Sequence, residues 1–361
     1  MAKILVGMSG GVDSSIAAHV LKEQGHDVSG AYIRTWMNEA DVFGKCPATE
    51  DIADCRTVSK FLEVDFDVVN LIDEYQAKVV DYLIEGYRSG ITPNPDIMCN
   101  REIKFGIFLD YAVKNGFEYV ATGHYCRKVI RKGGIAEIHE GLDKNKDQSY
   151  FLAFLEQHQA DRALFPIGDM LKPEVRMLAE ELQLPTAKKK DSQGICFLGK
   201  IKISDFLREY IPDEPGNIIN LDGEVLGEHK GLHHFTIGQR KGIKIPSNSN
   251  FNAYVVVEKR GKTKELVVGF DKDRTQGLYA NQAHISSISF VNEKLTTEET
   301  LLAKPRYRDP SQEITFIPDE GGTAMIKFKK PQRALAQGQI LALYDGQRLV
   351  GGGIYSGFSL I

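Results

Sequence analysis

The sequence predicts an α/β domain built on a doubly wound, mostly parallel sheet, followed by an all-β region. Over the first half of the chain, apolar segments alternate with amphipathic helices, and a glycine-rich loop joins the first strand to the first helix. From about residue 206, short apolar segments alternate with turn residues instead. Ligands of doubly wound sheets bind at the carboxyl ends of the strands, so a site is expected at that edge.

The elements of the first half follow from hydrophobic periodicity. The segment KILVGM at 3–8 predicts a buried strand, and 14–25 carries apolar residues at helical spacing before a terminating glycine. The same reasoning predicts further strands at 27–34, 65–71 and 118–125, and helices at 49–63, 73–89 and 102–116.

The second half reads as short strands at regular spacing. Two are expected at 252–260 and 264–270. Beyond residue 280 the segments HISSISFV, LLAKPRYR, QEITFI, TAMIKFKK, QILALYDG and RLVGGGIYS follow one another. This spacing predicts a small β-barrel at the carboxyl-terminal end.

Composition narrows the class of protein. The chain has 361 residues, of which 42% are hydrophobic and 26% charged, and no run approaches the ~20 apolar residues of a membrane span. The first residues are too short an apolar run for a signal peptide. The five cysteines include no CxxC pair, which argues against a zinc finger. A cytoplasmic protein with reduced thiols and no membrane association is expected.

Charge is clustered although the net charge is only −4. Four segments contain no acidic residue: 187–190, 229–244, 304–308 and 327–333. Together they predict a positive surface on one side of the molecule that binds nucleic acid. The alternative for each segment alone is a solvated loop.

The glycine-rich loop GMSGGVDSS, at 7–15, is expected to bind phosphate. Glycines allow successive backbone N–H groups to face an anion, and the following helix adds its dipole and its unpaired N–H donors. The loop lacks the Lys-Ser/Thr of a Walker A motif. Asp13 is unexpected beside a phosphate, and a bound magnesium ion would reconcile it.

Cys99 is the candidate nucleophile, in the segment TPNPDIMCNREIKF at 92–105. With Asn100 or Asp96 as the helix cap, Cys99 lies at or just before the first turn, where thiolates are favoured. Asp96 is the candidate general acid or base. The alternative is a buried structural thiol.

The remaining four cysteines differ in their expected roles. Cys196 lies in a polar loop, DSQGICFLG, comparable with that of Cys99. Cys55, inside a helix, and Cys126, at a strand end, are expected to be structural. Cys46 is a loop residue without an assigned role.

Seven segments, in this order, resemble those of the bacterial tRNA-specific 2-thiouridylases. They are GMSGGVDSS, TPNPDIMCNREIKF, ATGHY, KDQSYFL, SQGICFLG, HKGLHHFTIGQRKG and KPRYR. The resemblance covers essentially the whole chain. It implies a PP-loop ATP pyrophosphatase domain at 1–205, a small central domain at 206–277 and an elongation-factor-like β-barrel at 278–361.

The resemblance also implies the reaction and its partners. The wobble uridine, position 34, of certain tRNAs would be adenylated at its C2 oxygen by ATP, with Mg²⁺ accompanying the nucleotide, and then converted to 2-thiouridine. The expected substrates are the tRNAs for Lys, Glu and Gln, bound through the anticodon arm. A persulfide donor, either a cysteine desulfurase or a relay protein, would supply the sulfur, and no tightly bound metal is expected.

Site residues follow from the same resemblance. Catalysis is assigned to Cys99 as nucleophile, Cys196 as persulfide carrier and Asp96, and a transient disulfide would join the two cysteines. The ATP-binding residues are Gly7, Met8, Ser9, Gly10, Gly11, Val12, Asp13, Ser14, Ile33 and Gly123. The target base would meet Asn94, Pro95 and Asp96. The tRNA contacts are His124, Lys146, Asp147, Gln148, Arg306, Tyr307 and Gln339.

Three alternatives stay open at this point. The sulfur could come from an iron–sulfur cluster held by Cys99, Cys196 and Asp96 rather than from a persulfide. The chain could be another PP-loop ligase that acts on a small metabolite. It could also be a tRNA- or ribosome-binding protein with a decayed ATP site, although Ser9 to Ser14 is intact.

Overall fold

The structure, a computed structural model, describes residues 1–36, 47–191, 202–246 and 252–361. Within these ranges, no helix is both long enough and apolar enough to cross a bilayer.

The first part of the chain is built on a five-stranded parallel sheet. Its strands are β1 (Lys3–Gly7), β2 (Asp27–Arg34), β3 (Asp65–Asn70), β4 (Tyr119–Ala121) and, after a hairpin of β5 (Cys126–Ile130) and β6 (Ala136–Glu140), β7 (Ala163–Leu164). They lie in the order β3-β2-β1-β4-β7. The predicted α/β domain is therefore confirmed, and β1 is central because it pairs in parallel with both β2 and β4.

Helices cover both faces of this sheet. They are α1 (Val12–Glu23), α2 (Pro47–Leu62), α3 (Ile72–Tyr75), α4 (Asp81–Arg88), α5 (Pro95–Met98), α6 (Phe108–Lys114), α7 (Gln157–Arg162) and α8 (Lys172–Glu181). Two π-helical segments complete longer helices: Gln76–Val80 joins α3 to α4, and Cys99–Ile107 joins α5 to α6.

The alternation of side chains along β1 explains the two cores. Leu5 packs into one apolar cluster with Val79 and Phe108, whereas Ile4 and Val6 pack into a second cluster on the opposite face. Successive strand side chains point to opposite faces, so a strand buried on both sides must be apolar throughout. The uninterrupted ILV of this strand meets that condition.

The central region forms a smaller sheet. Helix α9 (Ile203–Arg208) precedes the strands β8 (Gly216–Ile219), β9 (Val225–His229), β10 (Tyr254–Arg260) and β11 (Glu265–Phe270). These strands lie in the order β10-β11-β8-β9, and a short 3₁₀ turn at Leu232–His234 follows β9. The predicted strands at 252–260 and 264–270 correspond to β10 and β11.

The predicted carboxyl-terminal barrel is also confirmed. Its strands are β12 (Tyr279–Phe290), β13 (Glu299–Lys304), β14 (Gln312–Pro318), β15 (Ala324–Arg333), β16 (Ile340–Asp345) and β17 (Arg348–Leu360). They are ordered β12-β15-β14-β13-β16-β17, and β17 pairs back with β12. This last pairing closes the antiparallel sheet, so neither end strand is left as a free edge.

The hairpin β5–β6 joins the first domain to the barrel, which the sequence did not predict. Arg348 of β17 pairs with His139 of β6, and the carbonyl of Gln347 accepts the N–H of Glu140. An apolar cluster is shared across the same boundary and includes Leu152, Phe154, Ile340, Tyr344 and Leu349. The domain boundaries at 205 and 277 stay a prediction, but the first and third domains share one core.

Candidate active site

The glycine-rich loop lies at the carboxyl end of β1 and turns directly into α1. Gly10 adopts a φ of 71°, and a Cβ at this position would lie 2.9 Å from the carbonyl oxygen of Asp51. Only glycine meets both conditions without strain. The backbone N–H of Ser9 donates to Oγ of Ser14 at 3.1 Å, and that hydroxyl in turn donates to the carbonyl of Gly11. These bonds fix the loop at the start of α1, and a helix N-terminus is a favourable place for an anion.

Asp13 has protein partners for both of its carboxylate oxygens. The ammonium group of Lys172 lies 2.7 and 2.9 Å from them, and the hydroxyl of Tyr125 donates to one at 2.8 Å. The Lys172 side chain is only 11% exposed. Lys172 therefore balances the charge of Asp13 within the protein, and the magnesium ion stays a prediction.

Lys172 extends this charge network to Asp191. Its ammonium group lies 2.9 Å from Asp191, which also pairs with Lys146 at 3.0 Å and with Arg176. Burial alone would raise the pKa of Asp191, but the hydrogen bonds from Lys172 and Lys146 hold it below its usual value. Asp191 is the last described residue before the segment that contains Cys196, so the network connects the nucleotide loop to the start of that segment.

The other two predicted nucleotide contacts also lie at this edge of the sheet. Ile33 is near the end of β2, and Gly123 follows β4, on either side of β1. A Cβ on Gly123 would lie 2.8 Å from the backbone nitrogen of Ser14. Glycine therefore lets the β4 loop pack directly against the beginning of α1. The structure brings Gly7 to Ser14, Ile33 and Gly123 to the ends of three adjacent strands.

His124, which follows Gly123, connects this edge to the helix of Cys99. Its Nδ1 lies 2.7 Å from the hydroxyl of Thr122, and its ring centroid lies 6.2 Å from that of Phe105 in the π-helical segment. His124 is buried, and burial with nearby Lys104 holds the pKa of its imidazole well below the usual value. A neutral histidine is therefore expected here at physiological pH.

The helix that contains Cys99 begins earlier than the sequence analysis predicted. Asn94 is its N-cap, since its side-chain oxygen accepts the N–H of Ile97 at 3.3 Å, and Pro95 occupies the first helical position. Neither Asn100 nor Asp96 is the cap, and the predicted start at 102 was wrong. Asn before Pro is a standard helix start, and this signal was available in the sequence.

Cys99 consequently lies one turn inside the helix. Its backbone N–H is bonded within the helix to the carbonyls of Pro95 and Asp96, so it is not one of the unpaired donors of the helix start. The Cys99 residue is 2% exposed. Asp96, three residues earlier, lies on the same face of the helix. A π-helical segment begins at Cys99, and such segments are frequent at functional sites.

Asn100 is a residue of this region that the sequence analysis did not assign. It is 2% exposed, and its side-chain nitrogen donates to the carbonyl of Phe151 at 3.1 Å. Its side-chain oxygen is buried without a hydrogen-bond partner. Phe151 in turn lies against Tyr307, with 4.3 Å between ring centroids, so Asn100 connects the Cys99 helix to the barrel.

Two of the five cysteines, Cys46 and Cys196, lie outside the described residues. The predicted disulfide between Cys99 and Cys196 therefore stays a prediction. Cys55 and Cys126 are both fully buried, and burial raises the pKa of the Cys55 thiol to about 12 and that of Cys126 well above its usual value. Thiols in such surroundings are inert at neutral pH, which agrees with the structural role expected for both.

The two segments predicted to contact tRNA lie close together in space. Asp147 of one segment and Tyr307 of the other line a pocket of about 410 Å³, whose walls also include Tyr150, Lys304 and Arg308. This pocket lies between the loop after β6 and the turn after β13, which are distant in sequence. It lies apart from the nucleotide loop, since no residue of Gly7 to Ser14 lines it.

Several side chains in these segments already have partners inside the protein. Asp147 accepts from the backbone N–H groups of Gly141 and Ser149. The side-chain oxygen of Gln148 accepts from the backbone of Tyr125, and Lys146 pairs with Asp191. These three side chains are therefore bonded within the first domain, and Asp147 is the one of them that lines the pocket.

One residue of the predicted basic surface is buried in an ion pair. Lys304 lies 2.6 Å from both Glu140 and Asp147, and its side chain is 12% exposed. It joins β13 of the barrel to the hairpin of the first domain rather than facing solvent. Arg308 is exposed and lies over the ring of Tyr307 at 5.4 Å, so it remains available to a phosphate.

Gln339 contacts the loop before the Cys99 helix. Its side-chain nitrogen donates to the carbonyls of Thr92, at 2.8 Å, and Pro93, at 3.4 Å. The barrel therefore touches the two residues that directly precede the segment 94–96, which is predicted to hold the target base.

Asp213, His233 and His234, in the central region, are the described group whose side chains come closest to a metal-ligand arrangement. A carboxylate oxygen of Asp213 and Nε2 of His234 are 2.5 Å apart, which is a hydrogen-bond distance. Two ligands of one tetrahedral zinc ion lie roughly 3.4 Å apart, so this group is built as a hydrogen-bonded pair.

Three family models match the chain in order. They are a tRNA methyl transferase HUP domain over residues 2–200, a tRNA methyl transferase PRC-barrel domain over 204–270 and an aminomethyltransferase beta-barrel domain over 280–355.

Curated relatives match nearly the whole chain. A tRNA-specific 2-thiouridylase MnmA of Akkermansia muciniphila is 53% identical over 355 residues, covering 98% of this chain and 99% of the relative. Proteins of the same name from Streptococcus sanguinis and Streptococcus thermophilus are 44% and 43% identical, each covering 98% of this chain and 94% of the relative.

Proposed function

The chain belongs to the tRNA-specific 2-thiouridylase family, and we propose how its residues share the work of that reaction. The observation that carries the proposal is the packing between the two halves of the site. Gly123 lies against the start of α1, and the next residue, His124, lies against Phe105 of the Cys99 helix. A nucleotide on the loop and a base beside Cys99 would thus be neighbours.

ATP binds at the carboxyl end of the parallel sheet. The backbone N–H groups between Ser9 and Ser14 and the dipole of α1 hold its phosphates, and Ile33 and Gly123 flank the nucleotide. Lys172 adds a positive charge next to the loop. Because both oxygens of Asp13 are engaged by the protein, Mg²⁺ would accompany the phosphates rather than rest on this carboxylate.

The target base is the wobble uridine, position 34, held by Asn94, Pro95 and Asp96. To reach this site the base must leave the stack of the anticodon loop. Its C2 oxygen attacks the α-phosphorus of ATP, the bond to pyrophosphate breaks, and AMP remains on the oxygen. Asp96 takes or returns the proton, since it shares a helix face with Cys99.

Sulfur then replaces the adenylated oxygen, delivered as a persulfide on Cys196. In one order, the Cys99 thiolate attacks the Cys196 sulfur, hydrosulfide leaves and attacks C2, and AMP departs. In the other, the terminal sulfur of the persulfide attacks C2 and AMP departs, and Cys99 then attacks the Cys196 sulfur and releases the thiolated base. Both orders end with a Cys99–Cys196 disulfide, which a thiol reductant must reduce by two electrons.

tRNA would lie across the pocket between the first domain and the barrel. His124, Lys146, Asp147, Gln148, Arg306, Tyr307 and Gln339 are the proposed contacts. The proposed substrates are tRNAs for Lys, Glu and Gln, in the cytoplasm. The proposed donor is a cysteine desulfurase or a relay protein that passes on its persulfide.

Mass spectrometry of tRNA nucleosides tests this function directly. Purified protein is incubated with tRNA, ATP, Mg²⁺ and a persulfide source, and 2-thiouridine is expected. Cys99→Ser and Cys196→Ser should both lose thiolation, whereas Cys126→Ser serves as the matched control. Full thiolation by either Cys99→Ser or Cys196→Ser would refute the assigned roles. The same spectra separate thiolation from methylation, the activity in the names of two matching family models.

An iron assay on anaerobically purified protein separates the persulfide route from the iron–sulfur alternative. Turnover by protein without iron is expected. If activity instead rises in proportion to bound iron and is lost on chelation, the cluster route is correct and the persulfide assignment of Cys196 is wrong.

A further inference from the structure

We propose that Gln339 is a positioning residue for catalysis: with Thr236, it holds the backbone at Thr92 and Pro93 so that the base-binding loop and the Cys99 helix keep their working orientation. This inference rests on the proposed function for the role of that loop. The barrel and the central region would then contribute to catalysis through these contacts, in addition to binding tRNA.

The loop is bonded to both ends of a short barrel turn, which runs from Gln337 to Gln339. The side-chain nitrogen of Gln339 donates to the carbonyls of Thr92 and Pro93, as described above. Two residues earlier, the backbone carbonyl of Gln337 accepts the N–H of Thr92 at 2.8 Å. The backbone N–H of Thr92 is therefore bonded to the backbone of the barrel turn, and its carbonyl is bonded to the Gln339 side chain.

The turn is itself fixed. Gly338 adopts a φ of 87°, and a Cβ there would lie 3.0 Å from the backbone of Thr92, so only glycine allows this close approach. The backbones of Gly338 and Gln339 each bond to Tyr355 of β17, at 3.0 and 2.9 Å. The Gln339 amide thus projects from a turn that is bonded to the barrel wall.

The central region contacts the same residue from another side. The hydroxyls of Thr92 and Thr236 lie 3.2 Å apart. Thr236 opens the TIGQ turn, whose Gly238 and Gln239 bond to Val256 of β10 at 2.8 and 3.0 Å. The motif TIGQRKG is one of the segments that resemble the family, and no role was assigned to it from the sequence. In the structure its first residue contacts Thr92, so the motif supports the base-binding loop.

The held segment leads directly into the catalytic helix. Pro93 packs against Gly86 of α4, where a Cβ would lie 2.6 Å from the proline ring. The next residue, Asn94, is the N-cap of the helix that contains Asp96 and Cys99. A shift of the Thr92 peptide would therefore change the direction in which the helix starts. Reacting groups displaced by about 1 Å lose roughly 100-fold in rate.

Gln339→Glu is the sharpest variant, because it keeps the shape of the side chain and replaces the donor with a carboxylate. The carboxylate would face two carbonyl oxygens and push the loop away. Gln337→Ala is the matched control: its side chain is exposed and bonds to Ser356, while its backbone contact with Thr92 is retained. Both variants leave the barrel core untouched.

Hydrogen exchange of the protein without substrates tests the positioning independently of the reaction. The peptide that spans residues 91–99 should exchange about tenfold faster in Gln339→Glu and at the parent rate in Gln337→Ala. Unchanged protection in Gln339→Glu would overturn the proposal even if the thiouridylase activity is confirmed. Loss of thiolation in the parent protein would refute the proposed function and leave this result standing.

Single-turnover thiolation at saturating tRNA tests the consequence for catalysis. In Gln339→Glu the rate should fall at least about tenfold while the Kd for tRNA changes less than about threefold. A raised Kd with an unchanged saturated rate would show that Gln339 contacts tRNA without positioning the loop, and would overturn the proposal.

Discussion

The ammonium group of Lys172 lies 2.7 and 2.9 Å from the two carboxylate oxygens of Asp13, at the start of the helix that follows the nucleotide loop. The same group lies 2.9 Å from Asp191. One lysine therefore links the phosphate-binding loop to the chain that leads to Cys196. Its loss would leave two carboxylates facing each other beside a site that must bind a polyanion.

Lys172→Met should impair adenylation more strongly than it impairs tRNA binding. We expect the free energy of unfolding to fall by about 2 kcal/mol, since the pair is largely buried and hydrogen-bonded. Pyrophosphate release with saturating tRNA should fall at least about tenfold. Lys188→Met, which removes an exposed lysine nearby in sequence, is the control. Equal pyrophosphate release by the two variants would show that Lys172 has no part in nucleotide binding.

Cys55→Ala should lower the free energy of unfolding less at alkaline pH than at neutral pH. Burial is the main cause that raises the pKa of Cys55 from 9.0 to about 12, against an opposing hydrogen bond from Gly10. The thiol is neutral in both states below pH 9, whereas above pH 9 the unfolded chain loses the proton first. The stability contributed by the neutral thiol is therefore lost as the pH rises from 9 toward 12.

Urea unfolding of the parent and Cys55→Ala under reducing conditions checks this. At pH 7.5 the parent should be more stable by about 1–2 kcal/mol, the usual cost of a small buried deletion. Above pH 9 the difference should shrink by up to about 1.4 kcal/mol per pH unit. Other ionisable groups are common to both proteins and cancel. A difference that stays constant from pH 7.5 to 10 contradicts the prediction.

Lys304→Met should weaken the attachment of the barrel to the first domain. Asp147 would be left buried without a cation, and Glu140 would keep only Lys144 as a partner, so the change should cost about 3 kcal/mol. The control is Lys329→Met on the same barrel, whose pair with Glu313 is exposed on both sides and contributes at most about 1 kcal/mol. Unfolding in urea measures both. Similar losses in the two variants would argue against a structural role for Lys304.

The effect of Lys304 also depends on pH. Burial would raise the pKa of Glu140, but hydrogen bonds from Lys144 and Lys304 hold it below its usual 4.5. A depressed carboxyl pKa contributes stability above pH 4.5, and this contribution is lost as the pH falls through the folded value. The difference between the parent and Lys304→Met should therefore narrow below pH 4.5, and a widening would be inconsistent with the ion pair.

Arg306→Ala and Arg308→Ala together should lower the salt dependence of tRNA binding. Each phosphate contact removed reduces the slope of log K against log salt by roughly 0.7–0.9. Arg308 should contribute more, because it is exposed, whereas Arg306 is paired with Asp309 at 2.8 Å. An unchanged slope in the double arginine variant would count against this surface as the tRNA contact.

The parallel sheet and the barrel were predictable because their signals are local. Strand β1 is apolar throughout since it is buried on both faces, and each barrel strand has its own short apolar segment between turns. The hairpin β5–β6 was missed because Val129 and Ile130 are exposed and the strands carry charged residues. Its partner, Arg348, is more than two hundred residues away, and no local pattern encodes such a pairing.

In the candidate site, too, the contiguous motifs were predictable and the contacts between distant segments were not. The glycine loop and the Cys99 segment are contiguous motifs, whereas Lys172 and Gln339 act on residues distant in the chain. The sequence contained one indication of the role of Lys172. This lysine is the first residue of α8, and a cation at a helix N-terminus interacts unfavourably with the helix dipole. A lysine in that position calls for an anionic partner elsewhere, and Asp13 is that partner.

Because the hairpin pairs with β17, the first domain depends on the barrel for its folding. A chain cut after residue 277 would keep every residue of the nucleotide loop and both Asp96 and Cys99. It would also uncover the edge of β6 and leave Tyr150, Leu152 and Phe154 without the barrel residues that complete their core. Such a fragment would be prone to aggregation through its unpaired edge. Gene truncations that seem to spare the active site would thus be null alleles through loss of folding.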